Sequence, residues 1–241
     1  MHQTPTQIGF DRFINIDWVY AALGVRSGTR SLDELTALLV AAGLGSEARA
    51  KTKTKLNAIS LAPRPDLADF IDRGVRLYAG ATTPIAVTQF AWGASLAAYS
   101  YFGKVAEFTG RLTSLQGDCS VAEVHRRMSE VYGDREITKR ATQAVLQTQA
   151  NWGALARVEK GKRLVRLAAT SVTEQRAVAW LLEAALRCQG KAIAVTTMQS
   201  MALLYPFLLD QPLAYVIANS EKLELRSEGP SQQFVALREG D

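Results

Sequence analysis

The sequence predicts a mainly α-helical protein, and three observations lead to this fold class. Apolar residues recur at helical spacing along most of the 241 residues, capping signals precede several of these runs, and only two stretches alternate as β-hairpins do. Hydrophobic residues make up 48% of the chain, an ordinary share for a folded protein. We therefore expect one large domain or two small ones, with helical bundle regions around a central unit that contains a small β-hairpin.

Residues 1–103 are predicted to form an N-terminal helical region. Ser31 precedes a Leu-rich run and Glu34 follows three residues later, which is the capping-box spacing. A second helix is expected over residues 46–59, because two prolines follow it. Pro84 is expected to begin another helix, since proline fits the first helical turn.

Residues 171–241 are predicted to form a C-terminal helical region with a possible β-hairpin. One helix is expected to begin at residues 173–175, and residues 198–209 are expected to form a further apolar helix. Residues 222–237 alternate polar and apolar side chains on both sides of a Gly-Pro turn. This alternation predicts the hairpin.

Two uncharged stretches, residues 77–103 and 192–209, are long enough to be weighed as membrane spans. Threonine, glutamine, serine and proline residues interrupt both, so insertion into a bilayer would be marginal. The polar start of the chain does not resemble a secretory signal. We expect buried helices of a cytoplasmic protein that has no membrane partner.

Residues 104–170 have a distinct order of predicted elements: helix, turn, helix, turn, helix, strand, basic turn, strand. Ser120 and Glu123 repeat the capping-box spacing at the start of the second helix. Asp134 is a natural N-cap for the third helix. Two short alternating runs then flank Gly161, as in a β-hairpin.

The third helix of this unit is predicted to be amphipathic. Its inward face holds Ile137, Ala141, Ala144, Val145, Thr148 and Trp152. The opposite face holds Arg135, Glu136, Lys139, Thr142, Gln143, Leu146 and Ala150, with Arg140 at its flank. In the DNA major groove Arg and Lys read guanine edges, glutamine reads adenine, and the Thr methyl group can contact thymine. The polar face therefore favours a role in DNA binding.

Three helices followed by a hairpin resemble the winged helix-turn-helix, over about residues 104–168. The resemblance implies that the third helix enters the major groove and that the hairpin, or wing, follows the DNA backbone. On this resemblance Arg135, Lys139, Thr142 and Gln143 are recognition-helix positions, and Lys160, Lys162 and Arg163 are wing positions. Arg126, Arg127 and Arg140 complete the predicted DNA-binding set. Leu146 departs from the pattern, and suggests that another helix or a second subunit covers part of this face.

A weaker resemblance covers the whole chain. A largely helical protein of this length, with such a unit and the apolar segment Tyr205-Pro206-Phe207, is similar to the BrxA-type proteins of BREX phage-defence systems. This resemblance implies binding to double-stranded DNA beside other subunits of an antiviral complex. Two alternatives stay open: a protein–protein adaptor subunit whose winged helix docks a partner, and a transcriptional regulator.

Positive charge is concentrated in the central unit. Residues 120–168 carry ten basic and five acidic side chains, so their net charge of +5 equals that of the whole chain. Such a patch favours an anionic partner such as DNA. A second basic run, with Arg49, Lys51, Lys53 and Lys55, lies on the predicted helix over residues 46–59. That run is either a solvated helix face or a second phosphate-contacting patch.

No catalytic or metal-binding pattern is present in the sequence. Phosphate-binding glycine loops and the H-E-x-x-H and G-x-S-x-G motifs are all missing. Cys119, Cys188, His2 and His125 are not placed to supply a four-ligand zinc site, and the two cysteines form no disulfide framework. We therefore expect a non-catalytic protein without cofactor or metal, in a reducing cytoplasm.

Overall fold

A computed structural model describes residues 7–81, 83–198, 200–227 and 233–238. Within these ranges the protein has eleven α-helices and eight short β-strands, and it is 64% helical. The predicted mainly α fold is therefore confirmed. The strands of the described ranges form three small sheets.

Five helices precede residue 100: α1 (Ile16–Ser27), α2 (Leu32–Ala41), α3 (Ser46–Leu56), α4 (Ala68–Tyr78) and α5 (Pro84–Ala98). The capping box of α2 is confirmed, because the Ser31 hydroxyl accepts from the Glu34 N–H and the Glu34 carboxylate accepts from the Ser31 N–H. The α3 helix runs on into a π-helical turn that ends before Pro63. The start of α5 at Pro84 is also as predicted.

The central elements are α6 (Ser100–Gln116), β1 (Asp118–Ser120), α7 (Val121–Tyr132), α8 (Glu136–Asn151), β2 (Leu155–Val158) and β3 (Arg163–Arg166). Strand β1 was not predicted. Strand β3 lies between β1 and β2 and is antiparallel to both, with Leu164 opposite Cys119 and Arg157. The predicted N-cap of α8, Asp134, is wrong, because Arg135 holds the extended cap position one residue later.

The C-terminal elements are β4 (Thr170–Val172), α9 (Gln175–Gln189), β5 (Ile193–Ala194), α10 (Val195–Met198), β6 (Phe207–Leu209), α11 (Leu213–Ala218), β7 (Leu223–Ser227) and β8 (Gln233–Leu237). Strands β7 and β8 confirm the predicted hairpin, whose turn lies outside the described residues. The helix predicted over residues 198–209 is wrong. Its last residues form β6, which pairs in parallel with β4, while Leu203 and Leu204 are buried in a 3₁₀ turn.

One hydrophobic core joins all three predicted regions. Buried apolar side chains form a continuous cluster from Phe10 to Val235. Helix α6 crosses the predicted boundary at residue 103, so the N-terminal helices and the central unit share a long element. Trp92, Trp152 and Trp180 are buried in the core, as predicted. Among the described residues, none of the helices combines the length and the apolar character needed to span a bilayer.

Candidate nucleic-acid interface

Helix α8 exposes one narrow stripe of polar side chains. Its members follow each other at intervals of three and four residues, which places them on one face: Glu136, Lys139, Arg140, Gln143 and Gln147. Gln143 is half-buried and the other four are exposed. After its first turn the other sides of the helix are mostly buried, for example at Ala141, Val145 and Leu146. The stripe is therefore the surface that α8 offers to a partner.

The exposed stripe is rotated around the helix axis from the face that periodicity predicted. The side chain of Thr142, a predicted recognition position, is only 1% exposed. Its hydroxyl bonds the Thr138 carbonyl (2.8 Å) and the Tyr101 hydroxyl (2.8 Å). Leu146 is fully buried, whereas Ile137, predicted to face inward, is 49% exposed. Helix α6, which carries Tyr101, covers this side of α8.

Residues from distant parts of the sequence form hydrogen bonds with the other sides of α8. The Ile14 N–H donates to the Thr148 hydroxyl (3.0 Å), and the Trp152 indole N–H donates back to the Ile14 carbonyl (2.9 Å). From the C-terminal region, the Tyr205 hydroxyl donates to the Gln149 side-chain oxygen (3.0 Å). The Thr148 hydroxyl and the Gln149 side-chain oxygen thus receive partners, which removes much of the cost of burying them. In the described part of the chain, the buried Thr138 hydroxyl and the Gln149 amide nitrogen have no hydrogen-bond partner.

The start of α7 is fixed by a second capping box. The Ser120 N–H and hydroxyl donate to the Glu123 carboxylate (2.7 and 2.8 Å), while the Ser120 hydroxyl accepts from the Glu123 N–H. The hydrogen bond from the Ser120 backbone is the largest cause of a lowered pKa of the Glu123 carboxyl. The predicted capping box is therefore confirmed.

The β2–β3 hairpin is attached to the start of α7. The Val121 N–H donates to the Lys162 carbonyl (2.9 Å), so the backbone fixes Lys162 beside this helix. At the hairpin turn Glu159 and Lys160 have positive φ angles of 50° and 55°, and Gly161 follows with 82°. The turn leaves the side chains of Lys160 and Lys162 exposed.

An open groove of about 770 Å³ separates the start of α7 from the exposed stripe of α8. Val121, Ala122 and Ala144 contribute apolar surface to it. Charged and polar residues complete its lining: Ser120, His125, Lys139, Arg140, Thr142, Gln143, Gln147 and Lys162. The structure thus brings Lys139, Arg140, Thr142, Gln143 and Lys162 of the predicted set together, although the Thr142 side chain is almost fully buried. Gln147 was not predicted as a site residue, although a residue four positions after Gln143 lies on the same face of the helix.

The remaining predicted arginines are engaged with neighbouring groups. Arg126 and Arg127 lie 3.1 and 3.9 Å from Glu130, and neither lines the groove. The Arg135 guanidinium donates to the Tyr132 carbonyl (2.9 Å) at the end of α7. These three arginines keep their positive charges, but the contacts hold the charged groups away from the exposed stripe of α8.

Two further predicted cations have carboxylate partners. Arg163 pairs with Asp118, and its Nε lies 3.7 Å from Glu159. The hydrogen bond to Asp118 is the main cause of the raised pKa of Arg163. Arg140 donates to Glu136 (2.9 Å) one helical turn earlier. Each pair lowers the net positive charge that a polyanion would meet.

The N-terminal basic run is engaged in local contacts. Arg49 donates to the Leu44 carbonyl (2.8 Å), Lys51 pairs with Glu47, and Lys53 donates to the Thr36 hydroxyl (2.9 Å). The Lys55 ammonium lies 3.0 Å from Asp11 and over the ring of Tyr99. Arg49, Lys53 and Lys55 are half-buried in these contacts, which do not favour a second phosphate-contacting patch.

The side chains that most often act in catalysis or bind metals are either buried or not grouped together in the described part of the chain. Burial raises the pKa of both Cys119 and Cys188 to about 12, which keeps these thiols protonated near neutral pH. In the ranges that the structure describes, no three His, Cys, Asp or Glu side chains are grouped as metal ligands. The groove between α7 and α8 is therefore the best candidate for a functional site.

Changing Tyr101 to phenylalanine is expected to lower the free energy of unfolding by about 1 kcal/mol. The buried Tyr101 hydroxyl contacts the Thr138 carbonyl (2.9 Å) and the Thr142 hydroxyl. Its removal therefore breaks the hydrogen bonds that join α6 to α8 at this point. Burial also raises the pKa of this phenol, so it is neutral at physiological pH. Urea denaturation measures the effect. The control is Tyr215→Phe, at a residue 58% exposed, and equal stability losses in both variants would contradict the prediction.

Comparisons with known proteins assign no family to the chain. No protein-family model, no curated protein and no solved structure matches it. The resemblances to winged-helix proteins and to BrxA-type proteins therefore stay predictions. What the groove can bind follows from its own geometry and charge.

Proposed function

We propose that this protein binds double-stranded DNA without catalysing a reaction, and that it does so as a winged helix-turn-helix protein. Helices α7 and α8 are the helix-turn-helix, α8 enters the major groove, and the β2–β3 hairpin is the wing. The observation that carries the proposal is the exposed stripe of α8, flanked by the hairpin lysine Lys162 across one groove. Apart from Glu136, the stripe consists of cationic and amide side chains, which suit the major groove.

The order of elements supports this proposal. The succession α6, β1, α7, α8, β2, β3 is the order expected of a winged helix, with β1 added to the hairpin as a third strand. The hairpin is held against the start of α7, beside the exposed face of α8. A helix in the major groove and a basic hairpin beside it would contact the bases and the phosphates of the same duplex.

Three lysines supply the unpaired positive charge of the surface. Lys139, Lys160 and Lys162 are exposed, and among the described residues no carboxylate oxygen lies within 4.0 Å of their ammonium groups. Lys139 and Lys162 line the groove, and Lys160 lies at the turn of the hairpin. Phosphate contacts of this kind orient a protein on DNA and provide most of its non-specific affinity.

We expect the affinity for duplex DNA to fall about 40-fold between 50 and 200 mM salt. If the three free lysines neutralise about three phosphates, the slope of log affinity against log salt concentration is about −2.7. Electrophoretic retardation of a duplex fragment, with fluorescence anisotropy at several salt concentrations, measures this slope. A slope near zero, or no retardation at low salt, would overturn the proposal.

An adaptor function is the second candidate, and the apolar part of the groove favours it. Val121, Ala122 and Ala144 line the groove, and Ile137 is exposed at the start of α8. Apolar surface of this kind suits a partner protein. Membership of a phage-defence complex, as the BrxA-type resemblance implies, would be compatible with either candidate, as would a role in transcriptional regulation.

A further inference from the structure

We propose that Gln143 and Gln147 are the specificity-determining residues of this surface, and that they read two adenines in the major groove. The inference rests on the proposed DNA binding and adds which base pairs are selected. Both side chains lie on the exposed stripe of α8 and line the groove, one helical turn apart. A glutamine amide can donate to adenine N7 and accept from adenine N6, which distinguishes A·T from the other base pairs.

These two glutamines are the uncommitted amides of α8. In the described part of the chain, neither side chain has a hydrogen-bond partner, whereas Gln149 accepts from Tyr205 and Asn151 accepts from the Ile16 N–H. An amide without an internal partner can form both bonds to a base without breaking a contact of the folded protein. Gln143 and Gln147 are therefore prepared for base contacts, and the other amides of the helix are not.

The neighbouring candidates for base contacts are less suited. Arg140 forms an exposed ion pair with Glu136 one turn away, and Thr142 is buried under α6. In the proposed complex Lys139 and Lys162, which both line the groove, contact phosphates as point charges. The two glutamines are thus the members of the stripe best suited to read bases.

The spacing of the two amides predicts the spacing of the adenines. Four residues of α-helix advance about 6 Å along the axis. Base pairs are stacked about 3.4 Å apart. If α8 lies along the groove, the two glutamines reach base pairs about two steps apart. We therefore expect a preferred sequence in which two A·T pairs are adjacent or separated by one base pair.

Selection from a library of random duplexes by the full chain, at about 50 mM salt, tests the inference. The wild-type protein is expected to enrich the paired A·T motif. The variant Gln143→Ala/Gln147→Ala is expected to retain duplexes without enriching that motif, since its lysines are unchanged. Gln233→Ala is the matched control, because Gln233 is exposed on β8 in another sheet and its variant should enrich the wild-type motif.

A duplex in which 7-deazaadenine replaces the two selected adenines tests the contact itself, because this base pairs normally but lacks N7. Wild-type affinity should fall about tenfold with the modified duplex, and the double variant should bind both duplexes equally. Enrichment of the same motif by the double variant, or retention of duplexes by the wild type without any A·T preference, would overturn the inference and leave DNA binding intact. Failure of the wild type to retain any duplex would overturn the proposed function as well.

Discussion

Changing Lys139, Lys160 and Lys162 together to glutamate is expected to lower the affinity for duplex DNA at least about 100-fold at low salt. The three ammonium groups are the exposed cations of the stripe and hairpin without a carboxylate neighbour among the described residues. Each change removes one attraction to a phosphate and adds one repulsion. Because all three side chains are exposed, the variant should keep the circular dichroism spectrum and melting temperature of the wild type.

A second triple variant separates a local contact from an effect of total charge. Arg76, Arg176 and Lys191 are exposed on other parts of the fold, and their change to glutamate alters the charge equally. Each substitution changes the charge by −2, so both triple variants have a net charge of −1 where the wild type has +5. The control should lose far less affinity than the first variant. Equal loss in both would mean that binding is not localised on α8 and the hairpin, and unchanged binding in the first would favour the adaptor function.

Changing Gly93 to alanine is expected to lower the free energy of unfolding by about 3 kcal/mol. A Cβ atom at this position of α5 would lie 2.2 Å from the Trp180 ring, and one at Gly74 of α4 would lie 2.5 Å from the same ring. The indole is therefore enclosed between two helices that approach it through glycines. It also stacks on Phe70 at 4.6 Å, and its N–H donates to the Phe70 carbonyl (2.9 Å). Little room is left for the ring to move.

Gly80→Ala is the control for this substitution. No heavy atom lies within 4 Å of a Cβ at Gly80, so the change should be nearly neutral or slightly stabilising. Both substitutions restrict the unfolded chain in the same way, and the difference between them therefore isolates the overpacking around Trp180. Urea denaturation measures both. A Gly93→Ala variant as stable as the Gly80→Ala variant would mean that Trp180 can move aside at little cost.

The sequence by itself determined the local structure of most elements. The capping boxes at Ser31 and Ser120 and the helix start at Pro84 depend on contacts within a few residues, and all three are confirmed. Both predicted hairpins are present because alternation and turn residues act over short distances. The concentration of positive charge in residues 120–168 could also be counted directly.

The face that α8 exposes was decided only by tertiary structure. Periodicity places one apolar side on a helix, but α8 is covered by α6, by the segment around Ile14 and by Tyr205. Buried Thr142 and Gln149 receive hydrogen bonds there, so polar residues occupy positions that a pattern of polarity assigns to the surface. The stripe therefore contains Gln147 and excludes Thr142.

The sequence likewise did not indicate which charged side chains form ion pairs. Arg163 was predicted as a wing cation, but β1 brings Asp118 next to it from 45 residues away. Similarly, residues 207–209 form a strand because β4 supplies a partner, although the apolar run alone predicted a helix. Local propensity is weak compared with burial and pairing across the fold, and both of these depend on residues far apart in the chain. For that reason the sequence could locate the basic unit, while only the folded chain determined which of its side chains are available to a partner.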